Sequence, residues 1–233
     1  MNTKPLLFGV LVLGQACITE PFRGTSTGNA MRMGLESTAG MANDTLLTQS
    51  EAGVDFTIES ATAQVDRISF ELSTLVKCDQ LGLSSPMSCD SANENIEITG
   101  DYTVDVVRAE FDPSIDDLTL PNMKFETLDV TLNTLDIMGS FTYDEDVLTY
   151  SMSLAFSEIV AFNAEEGFKL EDNQTLWMSM NTDTWLNDVG VTACLDAGDV
   201  RAVDGHVELT NTCDNAVDSV SQAVEASMVL KVD

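Results

Sequence analysis

Acidic side chains gather in three short stretches of the sequence. Calcium is bound by several carboxylate and carbonyl oxygens from one loop, and such stretches can supply them. None of the three follows the D-x-D-x-D-G spacing of an EF-hand. We predict calcium in two of them: Asp112, Asp116 and Asp117, and Asp196, Asp199 and Asp204. The third stretch comprises Asp144, Glu145 and Asp146.

The competing interpretation of these acids is a solvated surface. The chain has 39 Asp and Glu against 10 Lys and Arg, which gives a net charge of -29, and charged runs usually form solvated faces. Such a charge repels polyanions, so it excludes nucleic acid as a partner. It also means that anionic lipid headgroups would not hold this surface by themselves.

Two segments match part of a catalytic motif but lack the context that the motif requires. Gly24 to Gly28 reads G-x-S-x-G, the pattern of a serine hydrolase elbow, but an elbow needs a strand before it and a helix after it. His206 is the one histidine of the chain and begins an H-x-E like that of zinc deaminases, without the P-C-x-x-C that accompanies it. We therefore predict no catalytic residues, and we expect His206 to begin a strand after an Asp204-Gly205 turn.

Tryptophans and paired acids keep a glycan-directed role open. Glycosidases use two carboxylates across a sugar-binding cleft, and Trp177 or Trp185 could stack on sugar rings. Trp177 lies between Leu176 and Met178 and so falls on the opposite face of the strand predicted there. Large aromatic residues in a sandwich more often belong to the core or cover an edge.

Four cysteines follow Cys17 in the sequence. They are Cys78, Cys89, Cys194 and Cys213, an even number that predicts disulfides in an oxidising space. Of the three possible pairings we favour the local one, Cys78 with Cys89 and Cys194 with Cys213. A zinc site is disfavoured because the chain has no C-x2-C and only one histidine.

The first residues have the layout of an export signal. Lys4 is followed by an uncharged apolar run from Leu6 to Gly14, which is shorter than the roughly 20 residues that a membrane span needs. The segment Leu13-Gly14-Gln15-Ala16-Cys17 resembles the lipobox of bacterial lipoproteins, where a small residue precedes the cysteine that is acylated. The resemblance implies a signal peptide over residues 1–16, a lipidated Cys17, and anchoring to the outer membrane or cell surface.

The rest of the chain predicts an all-β fold. Residues 17–53 are rich in Thr, Gly, Ser, Asn and Met and predict a flexible tether, and residues 54–233 predict the folded domain. Alternation of apolar and polar residues there indicates an antiparallel β-sandwich, with a β-bulge at Asp66-Arg67 where the period shifts. One short C-terminal helix is predicted from Asp214, its N-cap, to about Ser227.

Two stretches of this domain carry a family resemblance. They are Ile98-Thr-Gly-Asp-Tyr-Thr-Val-Asp-Val106, and Leu118-Thr-Leu-Pro121 leading into Phe125-Glu-Thr-Leu-Asp-Val130. They resemble uncharacterised bacterial surface lipoproteins with a transthyretin-like or carboxypeptidase-regulatory-like β-sandwich. The resemblance spans about residues 60 to 135, and it lacks the usual Gly after the Pro. It implies a sandwich fold and a surface location, and no catalytic residues.

These patterns together predict a membrane-anchored, non-enzymatic lipoprotein of the cell envelope with a binding, adhesion or structural role. Its expected partners are the membrane, through the lipid anchor, and a glycan or an envelope protein. The alternative is a calcium-dependent or carbohydrate-binding module, and an enzyme acting on glycans is the less favoured third interpretation. No cofactor other than calcium is expected.

Overall fold

The computed structural model of this chain describes residues 24–37, 41–42, 45–49, 54–72, 81–90, 92, 95–156 and 159–233. It is mostly β, with two sheets packed together and two helices, which confirms the predicted all-β sandwich. The strands are β1 (Thr25–Glu36), β2 (Met41–Ala42), β3 (Thr45–Gln49), β4 (Asp55–Leu72), β5 (Met87–Asp90), β6 (Asn95–Asp105), β7 (Glu110–Asp112), β8 (Leu118–Pro121), β9 (Phe125–Tyr143), β10 (Asp146–Ala155), β11 (Ile159–Phe168), β12 (Thr175–Asn181), β13 (His206–Glu208) and β14 (Met228–Val232). The helices are α1 (Val191–Ala197) and α2 (Ala216–Ala226).

The smaller sheet joins strands that are far apart in the sequence, in the order β14-β12-β1-β8. Alternate residues of β1 are apolar, and Met31, Met33 and Leu35 are buried. Because successive side chains of a strand point to opposite faces, these three side chains share the inner face. Leu176 and Met178 of β12 are buried on the same side. The inner face of this sheet is thus largely methionine and leucine.

The structure corrects the predicted tether. Residues 25–36, which the prediction places within the flexible segment 17–53, form β1 in the interior of the smaller sheet. β1 also runs parallel to β12, and β10 runs parallel to β13, so the sandwich is not purely antiparallel. The apolar alternation of β1 outweighs the Gly and Ser content that suggested a linker, because burial of one face stabilises a strand.

The larger sheet is centred on two long antiparallel strands, β4 and β9. Its main path runs β13-β10-β9-β4-β3-β2, with β11 also on β9 and β6 on β4. The pairing of β4 with β6 shifts register between Val65 and Arg67, which confirms the bulge predicted there. A second shift lies between Ile58 and Ser60 in the pairing of β4 with β9.

Aromatic rings fill the inner side of the larger sheet. Phe56, Phe141 and Tyr150 contact one another, with Phe56 and Tyr150 edge to face at 5.5 Å between centroids. The Tyr150 hydroxyl donates to the Thr57 carbonyl at 3.2 Å. Burial and, secondarily, the charge of Glu59 raise the pKa of Tyr150. Gly139 leaves room for this ring, because a Cβ at that position would collide with the Thr57 carbonyl oxygen and lie 2.9 Å from Cε1 of Tyr150.

The two helices lie near the C-terminal part of the chain. α2 matches the predicted helix and buries Ala216, Val220 and Val224. Its N-cap is Asn215, in a left-handed conformation and without a capping side-chain hydrogen bond, and not the predicted Asp214. α1 was not predicted. It has seven residues and ends at Gly198, whose φ of 79° suits glycine.

One predicted disulfide is confirmed. Cys194 in α1 is bonded to Cys213 just before α2, with a Cα separation of 5.5 Å, and both are buried. The bond therefore ties the two helical segments together. Cys89 is also disulfide-bonded. Cys78 lies outside the described residues, so the pairing of Cys78 with Cys89 stays a prediction.

Candidate functional site

The predicted calcium ligands do not form a metal-binding group in the part of the chain that the structure describes. Asp116 accepts a hydrogen bond from Nη1 of Arg32 at 2.7 Å, and Asp196 accepts one from the hydroxyl of Tyr143 at 2.7 Å. Asp112 ends β7 and Asp199 follows α1. Asp117 lies at a bend and Asp204 in a turn, both with positive φ. Within the described ranges, no group of three or more His, Cys, Asp or Glu side chains could hold a metal ion. The structure therefore gives the calcium prediction no support.

Ser26, in the G-x-S-x-G motif, is not an exposed nucleophile. It lies in β1 with 1 % of its surface exposed. Its hydroxyl donates to the Leu120 carbonyl at 3.3 Å and accepts from Nδ2 of Asn29 at 2.9 Å. Asn29 is itself fully buried. The pairing of β1 with β8 shifts register between Ser26 and Asn29, and these bonds stabilise the backbone there.

His206 begins β13 as predicted, directly after the Asp204-Gly205 turn. Its Nδ1 lies 2.9 Å from Oγ1 of Thr149, and its Nε2 lies 3.0 Å from Oγ of Ser151. A serine beside an imidazole is the first pair of a nucleophilic triad. Here a threonine hydroxyl occupies the place of the carboxylate that would orient the imidazole.

Ser151 also lacks the surroundings that acyl transfer requires. It pairs with Met138 of β9 and Glu208 of β13 within the sheet. Strand amides engaged in ladder hydrogen bonds lie in the plane of the sheet, so they do not converge on an oxyanion above it. The cluster of Ser151, His206 and Thr149 is therefore suited to hydrogen bonding and not to nucleophilic attack.

This cluster belongs to a wider polar surface on the outer side of the larger sheet, which we call the hydroxyl face. Most of its hydroxyl groups are bonded to their neighbours, as Thr57 is to Ser140 at 2.7 Å, Ser140 to Glu59 at 2.9 Å, and Ser153 to Asp136 at 2.6 Å. Met138, 52 % exposed, lies among them. The face is defined by Thr57, Glu59, Ser60, Thr62, Gln64, Thr134, Asp136, Met138, Ser140, Thr149, Ser151, Ser153 and His206.

Beyond the bulge in β4, the outer side of the larger sheet carries a charged group. Arg67 contacts Glu97 at 3.4 Å, and Glu71 accepts from the Thr127 hydroxyl at 3.0 Å. Partial burial raises the pKa of Asp129, the charge of Glu71 raises it further, and Arg67 lowers it. Asp129 is thus held in surroundings that disfavour its ionised form.

The two tryptophans occupy different environments. Trp185 is 1 % exposed, and its Nε1 donates to Oγ of Ser227 at 3.0 Å. Trp177 is only partly buried and does not belong to the hydrophobic core. Within the described residues, the Nε1–H group of Trp177 has no hydrogen-bond acceptor. Sequence reasoning placed Trp177 on the correct strand face, opposite Leu176 and Met178.

Trp177 lies between two cations on the outer side of the smaller sheet, a surface that we call the Trp177 face. Arg32 of β1 and Lys231 of β14 are its register partners on either side. Arg32 pairs with Asp116 at 2.7 Å, and Lys231 reaches across β12 to Glu36 at 2.6 Å. The side chains of these two ion pairs are between 31 % and 44 % exposed.

Gly34 lets the indole lie close to the sheet. A Cβ at Gly34 would stand 3.2 Å from Cζ2 of Trp177 and 2.9 Å from the Cβ of Ala109. The benzene ring of the indole therefore occupies the space over a residue without a side chain. This contact was not visible in the sequence, because Gly34 and Trp177 come from strands far apart along the chain.

The predicted leader and lipidated Cys17 lie outside the described residues. Within the part that is described, no helix has the length and apolar character needed to cross a membrane. Comparison with protein-family models, with curated proteins and with solved structures found no match to this chain. The resemblance to surface lipoproteins with a transthyretin-like sandwich therefore stays a prediction.

Proposed function

We propose that the protein is an exported lipoprotein of the cell envelope, anchored through Cys17, whose β-sandwich acts by binding, adhesion or as a structural element and not by catalysis. The observation that carries the proposal is the buried Cys194–Cys213 disulfide. Disulfides form and persist in oxidising spaces and are rare in a reducing cytosol. The bond thus agrees with the export signal and lipobox-like segment at the start of the sequence.

The non-catalytic part of the proposal is supported by the Ser151 and His206 pair. Of the groups described, this pair comes nearest to a nucleophile with its base, yet Thr149 replaces an orienting carboxylate.

Membrane fractionation and mass spectrometry test the anchoring. Wild-type protein from its bacterial host is expected in the membrane fraction, with its first residue Cys17 carrying acyl chains. Cys17→Ala is the matched control, and it should lose both the acyl mass and the membrane association. Wild-type protein with an unmodified Cys17 and an intact leader would refute the proposal.

A covalent probe tests the absence of catalysis. A fluorophosphonate reacts with activated serines, and Ser151 is expected to remain unlabelled at concentrations that label a serine hydrolase run in parallel. Ser151→Ala is the control for adventitious labelling elsewhere. Labelling of Ser151 that disappears in Ser151→Ala and in His206→Ala would show an activated nucleophile and contradict a non-enzymatic role.

A further inference from the structure

We propose that the Trp177 face is a binding site for a neutral oligosaccharide, with one pyranose ring stacked on the indole of Trp177. This names the ligand class of the envelope protein proposed above and rests on that proposal. Three features carry it: the indole's position outside the core, its unpaired N–H group, and the two ion pairs beside it.

The position of Trp177 is unusual among the aromatic residues that the structure describes. Trp185 and the rings around Tyr150 are buried in the core, and Tyr143 and Phe156, though partly exposed, pack against it. Trp177 does neither, and its ring lies instead over Gly34 on the outer face, so packing in the core does not account for its position. An indole offers a broad apolar face with a negative quadrupole, which attracts the polarised C–H groups of a sugar ring.

The indole N–H group is a free donor. Buried Trp N–H groups usually find a partner, as that of Trp185 does in Ser227. That of Trp177 has none within the described part of the chain, and it is not among the buried polar atoms without a partner there. It therefore keeps some contact with solvent, where a ligand hydroxyl oxygen could accept its hydrogen bond.

The ion pairs beside Trp177 supply both donors and acceptors. Arg32 with Asp116 and Lys231 with Glu36 bracket the indole. A sugar hydroxyl both donates and accepts, so it can bond to either member of such a pair. Register neighbours in adjacent strands are about 4.8 Å apart, so the row from Arg32 to Lys231 spans about 10 Å. This is the scale of a short oligosaccharide.

The charge balance selects a neutral ligand. Each of the two cations beside Trp177 is matched by a carboxylate, while the chain as a whole carries -29. A polyanionic glycan would be repelled by that field, and a neutral one would not. The occupant is therefore a neutral hexose or pentose oligosaccharide and not a uronate.

Calorimetric titration of the full-length, detergent-extracted protein tests this inference. The probes are neutral hexasaccharides of glucose, mannose, xylose and N-acetylglucosamine, with a hexagalacturonate as the acidic counterpart. At least one neutral probe is expected to bind, and the hexagalacturonate is not. Trp177→Ala should weaken binding about tenfold or more, equivalent to about 1.4 kcal/mol, and Trp177→Phe should retain part of it.

Met138→Ala is the matched control, since it truncates an exposed apolar side chain on the other sheet. It should bind as wild type does. Circular dichroism and thermal melting confirm that each variant is folded. The inference is overturned if no neutral probe binds, if Trp177→Ala binds as wild type does, or if the uronate is preferred. These outcomes are independent of the mass of the Cys17 peptide, so failure here leaves the anchoring proposal standing, and the reverse also holds.

Discussion

On the hydroxyl face of the larger sheet, polar side chains of neighbouring strands bond to one another, as Ser153 does to Asp136. On the Trp177 face of the smaller sheet, two ion pairs flank an indole whose N–H group has no acceptor among the described residues. Groups that are already bonded gain little from a ligand, because binding would exchange one hydrogen bond for another. Recognition is therefore expected where a group is left unpaired and not where polar groups are most numerous.

The largest expected effect separates the two tryptophans. Trp185→Ala should lower the free energy of unfolding by about 3–5 kcal/mol, since it empties a buried site. Trp177→Ala should lower it by less than about 1 kcal/mol, as substitutions outside the core usually do. Urea denaturation of both variants measures the difference. If Trp177→Ala cost as much as Trp185→Ala, the indole would be a structural element and the contrast between the faces would fail.

The next effect compares two glycines, one in each sheet. Gly139→Ala should cost about 1–3 kcal/mol, because its Cβ meets the Thr57 carbonyl and the β4 backbone must shift. Gly34→Ala should cost less, since its closest contact, the Ala109 Cβ at 2.9 Å, is farther away than the Thr57 carbonyl oxygen is from a Cβ at Gly139. Thermal melts give the stabilities of both variants. Titration with a neutral hexasaccharide that binds the wild-type protein gives their affinities. Gly34→Ala should weaken that binding. Gly139→Ala should leave it unchanged, provided that the variant is folded.

A smaller effect is expected from His206. His206→Ala removes two hydrogen bonds on the hydroxyl face, each contributing about 0.5–1.5 kcal/mol at most, and solvent replaces part of both. The variant should lose roughly 1 kcal/mol of stability by urea denaturation and should bind the hexasaccharide unchanged. Loss of binding in His206→Ala would mean that the hydroxyl face takes part in recognition.

The smallest effect is a pH dependence at Asp129. The raised pKa of this carboxyl means that the folded state holds its proton more tightly than the unfolded state. Stability therefore falls as pH rises from the ordinary Asp value of about 3.9 through the raised one. Asp129→Asn should melt at a higher temperature than wild type at neutral pH, and the gain should vanish below pH of about 3.9.

The matched control for Asp129 is Asp101→Asn, which makes the same change in net charge at an exposed position of β6. It separates local burial from general relief of charge repulsion. An equal gain in both variants would show that the surroundings of Asp129 are not special.

Much of the sandwich could be predicted because alternation reports which face of a strand is buried. The bulge at Asp66-Arg67 and helix α2 were visible in this way. Strand β1 was missed although Met31, Met33 and Leu35 alternate, because its Gly, Ser and Thr content favoured a linker. Helix α1 was missed because seven residues are too few to establish a helical period.

The candidate site could be predicted only in part. Alternation placed Trp177 opposite Leu176 and Met178, which is a local property of one strand. Its neighbours Arg32 and Lys231 come from strands on either side whose pairing is set by the fold as a whole. Likewise, nothing local to His206 indicates Ser151, 55 residues away. Spatial neighbours from distant strands are the part that sequence patterns do not show.

The place of β1 has a consequence for synthesis. Its partner β12 follows it by about 145 residues, since Ala30 is in register with Thr175. A ribosome therefore releases β1 long before the strand that completes its hydrogen bonds exists. The two central strands of the larger sheet, β4 and β9, have both been synthesised by Tyr143, so they can pair earlier. The smaller sheet, and with it the surface around Trp177, can form only when translation of these later strands is finished.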